Sequence, residues 1–266
     1  MGLFLTGATG YLGSEVARQA ASAGWTVGPA TRVEIRDASA VREAMTAERP
    51  DAVIHTAYRQ DGDAAEATNV DGSLHVASAA REHGARLVHV SSDVIFRGAP
   101  GRPLTESDRV NPITDYGRTK AAAEVVVTAA DPGAVIVRTS MIYSGPGATL
   151  SRHEALALAA ARGEADVSFF EDEIRCPVAL ADLAAALIEL AGRPEVSGPL
   201  HVAGTQAVSR LDFAELVARH HGLQPGLLRS ARRSPDRPGD LTLDCTRAAT
   251  LLDTRLRGVS EVLAPR

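Results

Sequence analysis

Cysteine, clustered positive charge and long apolar runs are all scarce in this chain, and each scarcity removes a class of protein. Only two cysteines, Cys176 and Cys245, occur among 266 residues. Two cysteines cannot build a disulfide framework, and these form no metal-spaced motif; they read as small core or surface residues. No histidine pair has zinc spacing with a carboxylate partner, so no metal site is expected. The formal net charge is -5 and there is no basic tract, so the electrostatic footprint of a nucleic-acid binder is missing. No window approaches the roughly 18 consecutive apolar residues that would span a membrane. The N-terminus lacks the charged start and cleavage site of a secretory signal, and a cytoplasmic protein is expected. Met1-Gly2 and Thr6 formally match a myristoylation pattern, but Gly2 to Thr6 reads as a first buried strand.

What is present is ordinary for a globular chain with a real core, 45% hydrophobic and 23% charged residues. Short apolar runs alternate with longer amphipathic stretches, the pattern of strand–helix units and a mainly parallel sheet. Strands are expected at Gly2 to Leu5, Trp25 to Val27, Val33 to Ile35, Ala52 to His55, Leu87 to Val90 and Val135 to Val137. Helices are expected at Tyr11 to Ser22, Val41 to Ala47, Ala64 to His83 and Thr114 to Ala130. Beyond these, Leu150 to Ala161, Ala181 to Ala191 and Leu211 to His220 look helical, and Leu200 to Ala203 looks like a strand. The stretch from Arg229 to Asp240 reads as a loop. The fold class is α/β, a Rossmann-type doubly wound parallel sheet with a smaller, interleaved C-terminal substrate lobe. Residues 1–147, completed by about 180–203, would form the dinucleotide-binding domain, and 148–179 with 204–266 the substrate lobe.

Thr6-Gly7-Ala8-Thr9-Gly10-Tyr11-Leu12-Gly13 places three glycines at a G-x-x-G-x-x-G spacing between a strand and a helix, the context that gives such a motif meaning. Gly7 can take the angles of a tight turn. Gly10 lets the backbone approach a pyrophosphate, and Gly13 lets the helix pack on the sheet. Thr9, Tyr11 and Leu12 complete the cofactor-facing set, at a helix N-terminus that presents free N–H groups to phosphate. Pro29-Ala30-Thr31-Arg32 carries no carboxylate before Glu34. Arg32, helped by the Thr31 hydroxyl, is therefore the candidate for a 2′-phosphate and for NADP(H), a solvated loop arginine being the alternative.

Tyr116 and Lys120 stand four apart on an expected helix and so share a face. A lysine charge beside a phenol favours the phenolate, which would bring tyrosine toward acid/base work near neutrality. Ser91-Ser92-Asp93 ends the buried strand at the carboxyl edge of the sheet, where ligands of such folds bind. A hydroxyl there could bond a substrate carbonyl or the oxyanion developing from it. Ser92, Tyr116 and Lys120 are the candidate catalytic residues.

These segments, with Arg138-Thr139-Ser140, Arg175-Cys176-Pro177-Val178, His201-Val202-Ala203-Gly204 and Arg237-Pro238, resemble the extended short-chain dehydrogenases/reductases over nearly the whole chain. Within them the chain is most similar to the dTDP-4-dehydrorhamnose reductase-like, sugar-nucleotide-modifying branch. The resemblance implies a ketoreductase using NADPH on a nucleotide-linked 4-keto-deoxysugar or similar small carbonyl. Tyr116 would donate the proton, Lys120 would hold the nicotinamide ribose and depress the tyrosine pKa, and Ser92 would orient the carbonyl. Glu34 and Ile35 would lie near the adenine, and Ala57 and Tyr58 would line the cofactor. Asp93 and Arg237 would join Ser92 on the substrate side, Arg237 reaching phosphates, with an ordinary loop arginine as the alternative. Met141 stands where rhamnose-type reductases usually carry tryptophan, and the segment after Ala57 is shortened. Asp93 is followed by Val94 rather than the glutamate of the related dehydratases, which disfavours dehydration.

His55 and His89 read as packed or hydrogen-bonded, and Glu171-Asp172-Glu173 as a solvated acidic loop, a position bordering the substrate lobe being the alternative. Asn69 could brace the active-site strands from the long helix. Two further readings stay open: a sugar-nucleotide epimerase, and a non-catalytic NADP-binding regulatory protein like the regulatory subunit of methionine adenosyltransferase. Neither nucleic acid nor membrane is an expected partner; a homodimer is possible on general grounds.

Overall fold

The computed structural model describes residues 1–28, 33–98, 101–145 and 148–264. Thr31 and Arg32 lie outside them. The first half alternates strand and helix: β1 (Gly2–Thr6), α1 (Tyr11–Ser22), β2 (Thr26–Val27), α2 (Ala38–Glu48), β3 (Ala52–His55), α3 (Gly72–Glu82), β4 (Arg86–Ser92), α4 (Asp115–Ala130) and β5 (Val135–Thr139). The second half is more broken. It runs β6 (Ile142–Tyr143), α5 (Arg152–Ala161), β7 (Ser168–Phe170), β8 (Ile174–Arg175), β9 (Val178–Ala179), α6 (Leu180–Ala191), β10 (Gly198–His201), β11 (Val208–Ser209), α7 (Arg210–His220), β12 (Arg229–Ala231), α8 (Thr246–Leu251) and α9 (Val259–Val262).

Among the described residues, one parallel sheet has the order β2-β1-β3-β4-β5-β10. Successive strand residues face opposite sides, so Leu3 joins the cluster under α1 and α6 while Phe4 joins that under α2, α3 and α4. Burial on both faces explains why these strands are continuous apolar runs. Strand order reverses at β1, and the carboxyl ends of β1 and β3 open a crevice at that switch point.

Three expectations change here. Val33 to Ile35 forms no strand; Ile35 instead packs against Gly72 at the start of α3, where a Cβ would meet Ile35 Cδ1 at 2.8 Å. The long helix opens with a π-helical turn at Ala67–Asp71 before α3. The stretch after Arg229 contains β12, which pairs in parallel with β7.

The placement of α4 decides the site. Thr114 caps it, its hydroxyl accepting from the Gly117 amide at 3.0 Å. Gly117 allows close docking, since a Cβ there would lie 2.3 Å from the Val94 carbonyl oxygen. Further along, buried Glu124 accepts from Arg138 of β5 at 2.8 and 3.1 Å, fixing the helix against the sheet. The C-terminal elements gather a separate cluster around Met141, Tyr143, Phe169 and Phe213. Serine capping boxes start α5 at Ser151 with Glu154 and α7 at Ser209 with Asp212.

Candidate active site

A cavity of about 650 Å³ runs along the carboxyl ends of the sheet strands, from the glycine turn to the serine and tyrosine. At its head, Gly7 has φ 72°, and a Cβ there would sit 2.8 Å from Thr56 Oγ1. The Gly10 amide donates to Gly7 O at 2.8 Å and closes the turn. A Cβ on Gly13 would lie 2.1 Å from Gly7 O, so this glycine lets α1 sit on the turn itself. No side chain caps α1, and its first turn holds no acidic residue. Its leading amides and positive dipole end are thus available to an anion. The cavity wall includes Gly7, Thr9, Gly10, Tyr11, Leu12 and Gly13.

At the far end of the same cavity lie Ser92, Tyr116 and Lys120. Tyr116 packs against Tyr58 with the rings tilted, 5.7 Å between centroids. Burial, with Tyr58 and Asp93 nearby, pushes the Tyr116 phenol above its ordinary range. The expectation that Lys120 depresses this pKa is therefore not met: desolvation dominates, and the phenol holds its proton at neutral pH. Lys120 is 3% exposed and donates to the Val90 carbonyl at 2.7 Å; burial lowers its ammonium to about 8. Beside it lies the stacked pair His55 and His89, 5.2 Å apart. Both are buried and pushed well down by desolvation, and neither ring nitrogen of His89 has a hydrogen-bond partner.

Ser92 Oγ donates to Asp93 Oδ1 at 3.3 Å. Asp93 turns away from the cavity: its Oδ2 accepts from Ser140 at 2.6 Å and faces Arg175 Nε at 3.7 Å. Asp93 thus supports two cavity-lining serines from behind. Arg237 does not line the cavity. Its Nε donates to Glu173 at 2.8 Å, and its guanidinium lies 4.7 Å from the Phe170 ring centroid. Glu173, read as part of a solvated loop, is 2% exposed and gathers Arg175 at 3.2 Å and Arg210 at 3.9 Å as well. Arg210 also donates to Met141 Sδ, and its other terminal nitrogen lies 3.0 Å from His153 Nδ1.

At the opposite end, Glu34 and Ile35 line the cavity, as do three residues that the sequence reasoning missed, Arg36, Arg59 and Glu48, while Ala57 and Tyr58 line it between the glycine turn and Tyr116. Arg36 holds Glu34 through bonds of 2.8 and 2.7 Å, and that pairing lowers the Glu34 carboxyl to about 2. Glu48 reaches the end of β2 from α2; a Cβ on Gly28 would be 1.9 Å from its Oε2. Arg36 stood four residues beyond the candidate Arg32, the only local signal for it. Asn69 ties the segment after β3 to α4 rather than bracing the strands, its side chain bonding Arg59 N and O at 2.8 Å each and Thr119 Oγ1 at 2.9 Å. Burial pushes the thiols of Cys176 and Cys245 up, to about 11 and about 12.

Residues 1–264 match the family model described as RmlD substrate binding domain. A dTDP-4-dehydrorhamnose reductase of Mycobacterium tuberculosis is 36% identical over 240 residues, covering 85% of this chain and 78% of that protein. A dTDP-4-dehydrorhamnose reductase of Clostridium acetobutylicum superposes with a TM-score of 0.87 at 26% identity, over 99% of this chain and 97% of the other. The fold is also that of a dTDP-4-dehydrorhamnose reductase of Bacillus anthracis solved in complex with NADP, with a TM-score of 0.87 at 24% identity, over 98% and 95% of the two chains. The chain belongs to the RmlD substrate binding domain family, within the extended short-chain dehydrogenases/reductases.

Proposed function

We propose that this chain is an NADP(H)-dependent oxidoreductase, a ketoreductase acting on a nucleotide-linked 4-keto-deoxysugar. The observation that carries this reading is one cavity joining an uncapped helix N-terminus behind a glycine turn to Ser92, Tyr116 and Lys120. The residues present fit the cofactor: Gly7, Gly10 and Gly13 make a turn that side chains would fill, and the uncapped α1 amides there would face its phosphates. NADP(H) supplies the hydride. Arg36 and Arg59 bring positive charge to the adenosine end, where a 2′-phosphate would present acceptor oxygens suited to guanidinium. With Glu34 already paired to Arg36, the carboxylate there is less available for a ribose hydroxyl.

Burial keeps the Tyr116 phenol in the protonated form that a proton donor requires. Lys120 brings a buried ammonium to the same wall and would stabilise the phenolate as it forms. Ser92, steered by Asp93, would bond the carbonyl oxygen and hold it toward Tyr116.

The test is NADPH consumption over a panel of nucleotide-linked 4-keto-6-deoxysugars, with Tyr116→Phe alongside. The variant should bind NADPH normally and lose turnover by about 10²- to 10⁴-fold, the usual worth of a positioned acid. NADPH binding without turnover on any panel member would replace the reductase reading with the regulatory one. A tightly retained, unconsumed cofactor with product forming would mean an epimerase.

A further inference from the structure

We infer that His55 is a positioning residue, a neutral strut of fixed tautomer that ties the glycine turn to the helix carrying Tyr116. The inference rests on the reading of this cleft as an NADPH site served by Tyr116. His55 closes β3, beside Thr6 at the end of β1, in the register that opens the crevice. Its Nδ1 lies 2.5 Å from Thr6 Oγ1 and its Nε2 lies 3.0 Å from Ser73 Oγ. Both contacts are buried, so each proton must be accounted for.

Hydrogen counting sets the direction of every bond. Ser73 spends its one hydroxyl proton on Asn69 O at 2.6 Å, so it accepts from His55 Nε2–H. A neutral ring then leaves Nδ1 bare, and it accepts from the Thr6 hydroxyl. Thr6 Oγ1 in turn accepts from the Ala57 amide at 3.4 Å. Asn69 carries the chain onward: its side-chain amide donates to Thr119 Oγ1 at 2.9 Å, and Thr119 donates to Tyr116 O at 2.9 Å. Along this path the donors point the same way, from the segment after β3 to the first turns of α4. The Asn69 amide also grips both backbone groups of Arg59, next to the Tyr58 ring that packs against Tyr116.

Two surroundings keep the ring neutral. It is fully buried, and the charged group facing it is the Lys120 ammonium, with His89 stacked alongside. A second proton on His55 would set Nδ1–H against Thr6, leaving the Thr6 hydroxyl proton without its acceptor. The π-helical turn at Ala67–Asp71 presents Asn69 at the crossing of these bonds.

The test uses the full chain with and without NADPH. Nitrogen-15 NMR of His55 should show the neutral Nε2–H tautomer, unchanged between about pH 5.5 and 8.5, where an ordinary histidine titrates. Thr6→Val and Ser73→Ala should each weaken NADPH affinity and Tyr116-dependent turnover by about tenfold, the loss expected when a buried polar group goes unpaired. Because one chain is broken in either case, the double variant should match the worse single. An Nδ1–H or titrating ring, effects that multiply in the double variant, or Ser73→Ala binding and turning over like the unaltered protein would each overturn the inference. Absent turnover in the unaltered protein would count against the reductase reading alone, since NADPH affinity and the ring signature decide this one.

Discussion

The Tyr116 cleft and the ion-pair cluster around Glu173 are built by different means. On the cofactor side, groups are placed by local geometry: glycines in one turn, a helix start without a cap, and Tyr116 and Lys120 one helical turn apart. In the cluster, placement comes from ion pairs: Glu173 meets its near neighbour Arg175 and, from distant segments, Arg210 and Arg237, while Asp93 meets Arg175. A motif can evolve as a unit on one side; on the other, one acid organises three arginines drawn from three parts of the chain.

If α4 is held by the sheet rather than by its own helicity, the largest effect should come from its buried ion pair. Glu124→Ala leaves the Arg138 guanidinium buried without its partner, and urea unfolding should show a loss of about 3–5 kcal/mol. A loss under 1 kcal/mol would mean that packing alone places Tyr116.

The Lys120 ammonium sharpens the contrast, because on the motif side function opposes stability. Its pKa falls from 10.5 unfolded to about 8 folded. Between those values the unfolded chain keeps a proton that the folded chain has lost, so stability rises with pH across the window and is lost as pH falls through 8. The shift corresponds to about 3 kcal/mol. Lys120→Met should therefore unfold later than the unaltered protein at pH 7 and lose that advantage toward pH 10, while catalysis disappears. Equal pH dependence in the two proteins would place the ammonium in contact with water.

On the lobe side, Glu173→Gln should cost about 1–3 kcal/mol by removing the anion that three guanidiniums share. NADPH affinity should hold, because none of these groups lines the cofactor end of the cavity. A parallel loss of NADPH binding would show that the two regions are coupled. The smallest effect concerns the thiols: with Cys176 and Cys245 pushed up to about 11 and about 12, both should react with a disulfide reagent at pH 8 far more slowly than a free thiol. A fast-reacting Cys245 would mean that the loop around it opens.

Much of the cofactor side was legible because its information is short-range. The turn from Gly7 to Gly13 and the Tyr116–Lys120 spacing each need only neighbouring residues to have meaning. Val33 and Ile35 misled because an apolar–charged–apolar alternation satisfies a strand pattern equally well when one of its residues plugs a helix seam at Gly72. Glu173 misled for the opposite reason. An acidic run looks solvated until arginines far along the chain arrive to neutralise it, and no local pattern announces that. His55 was rightly set aside as packed or hydrogen-bonded, but its partners Thr6 and Ser73 lie on two other elements.

The sequence by itself determined the alternation of strand and helix, the phosphate-facing turn, and the identity of the serine, tyrosine and lysine that share the cleft. Tertiary structure decided their protonation and support. Burial, not the neighbouring lysine, set the Tyr116 phenol; desolvation set Lys120; Asp93 was drawn behind Ser92 and Ser140 by Arg175. Residue type and spacing are local properties of a chain, whereas dielectric surroundings and charge partners exist only once distant segments exclude water together.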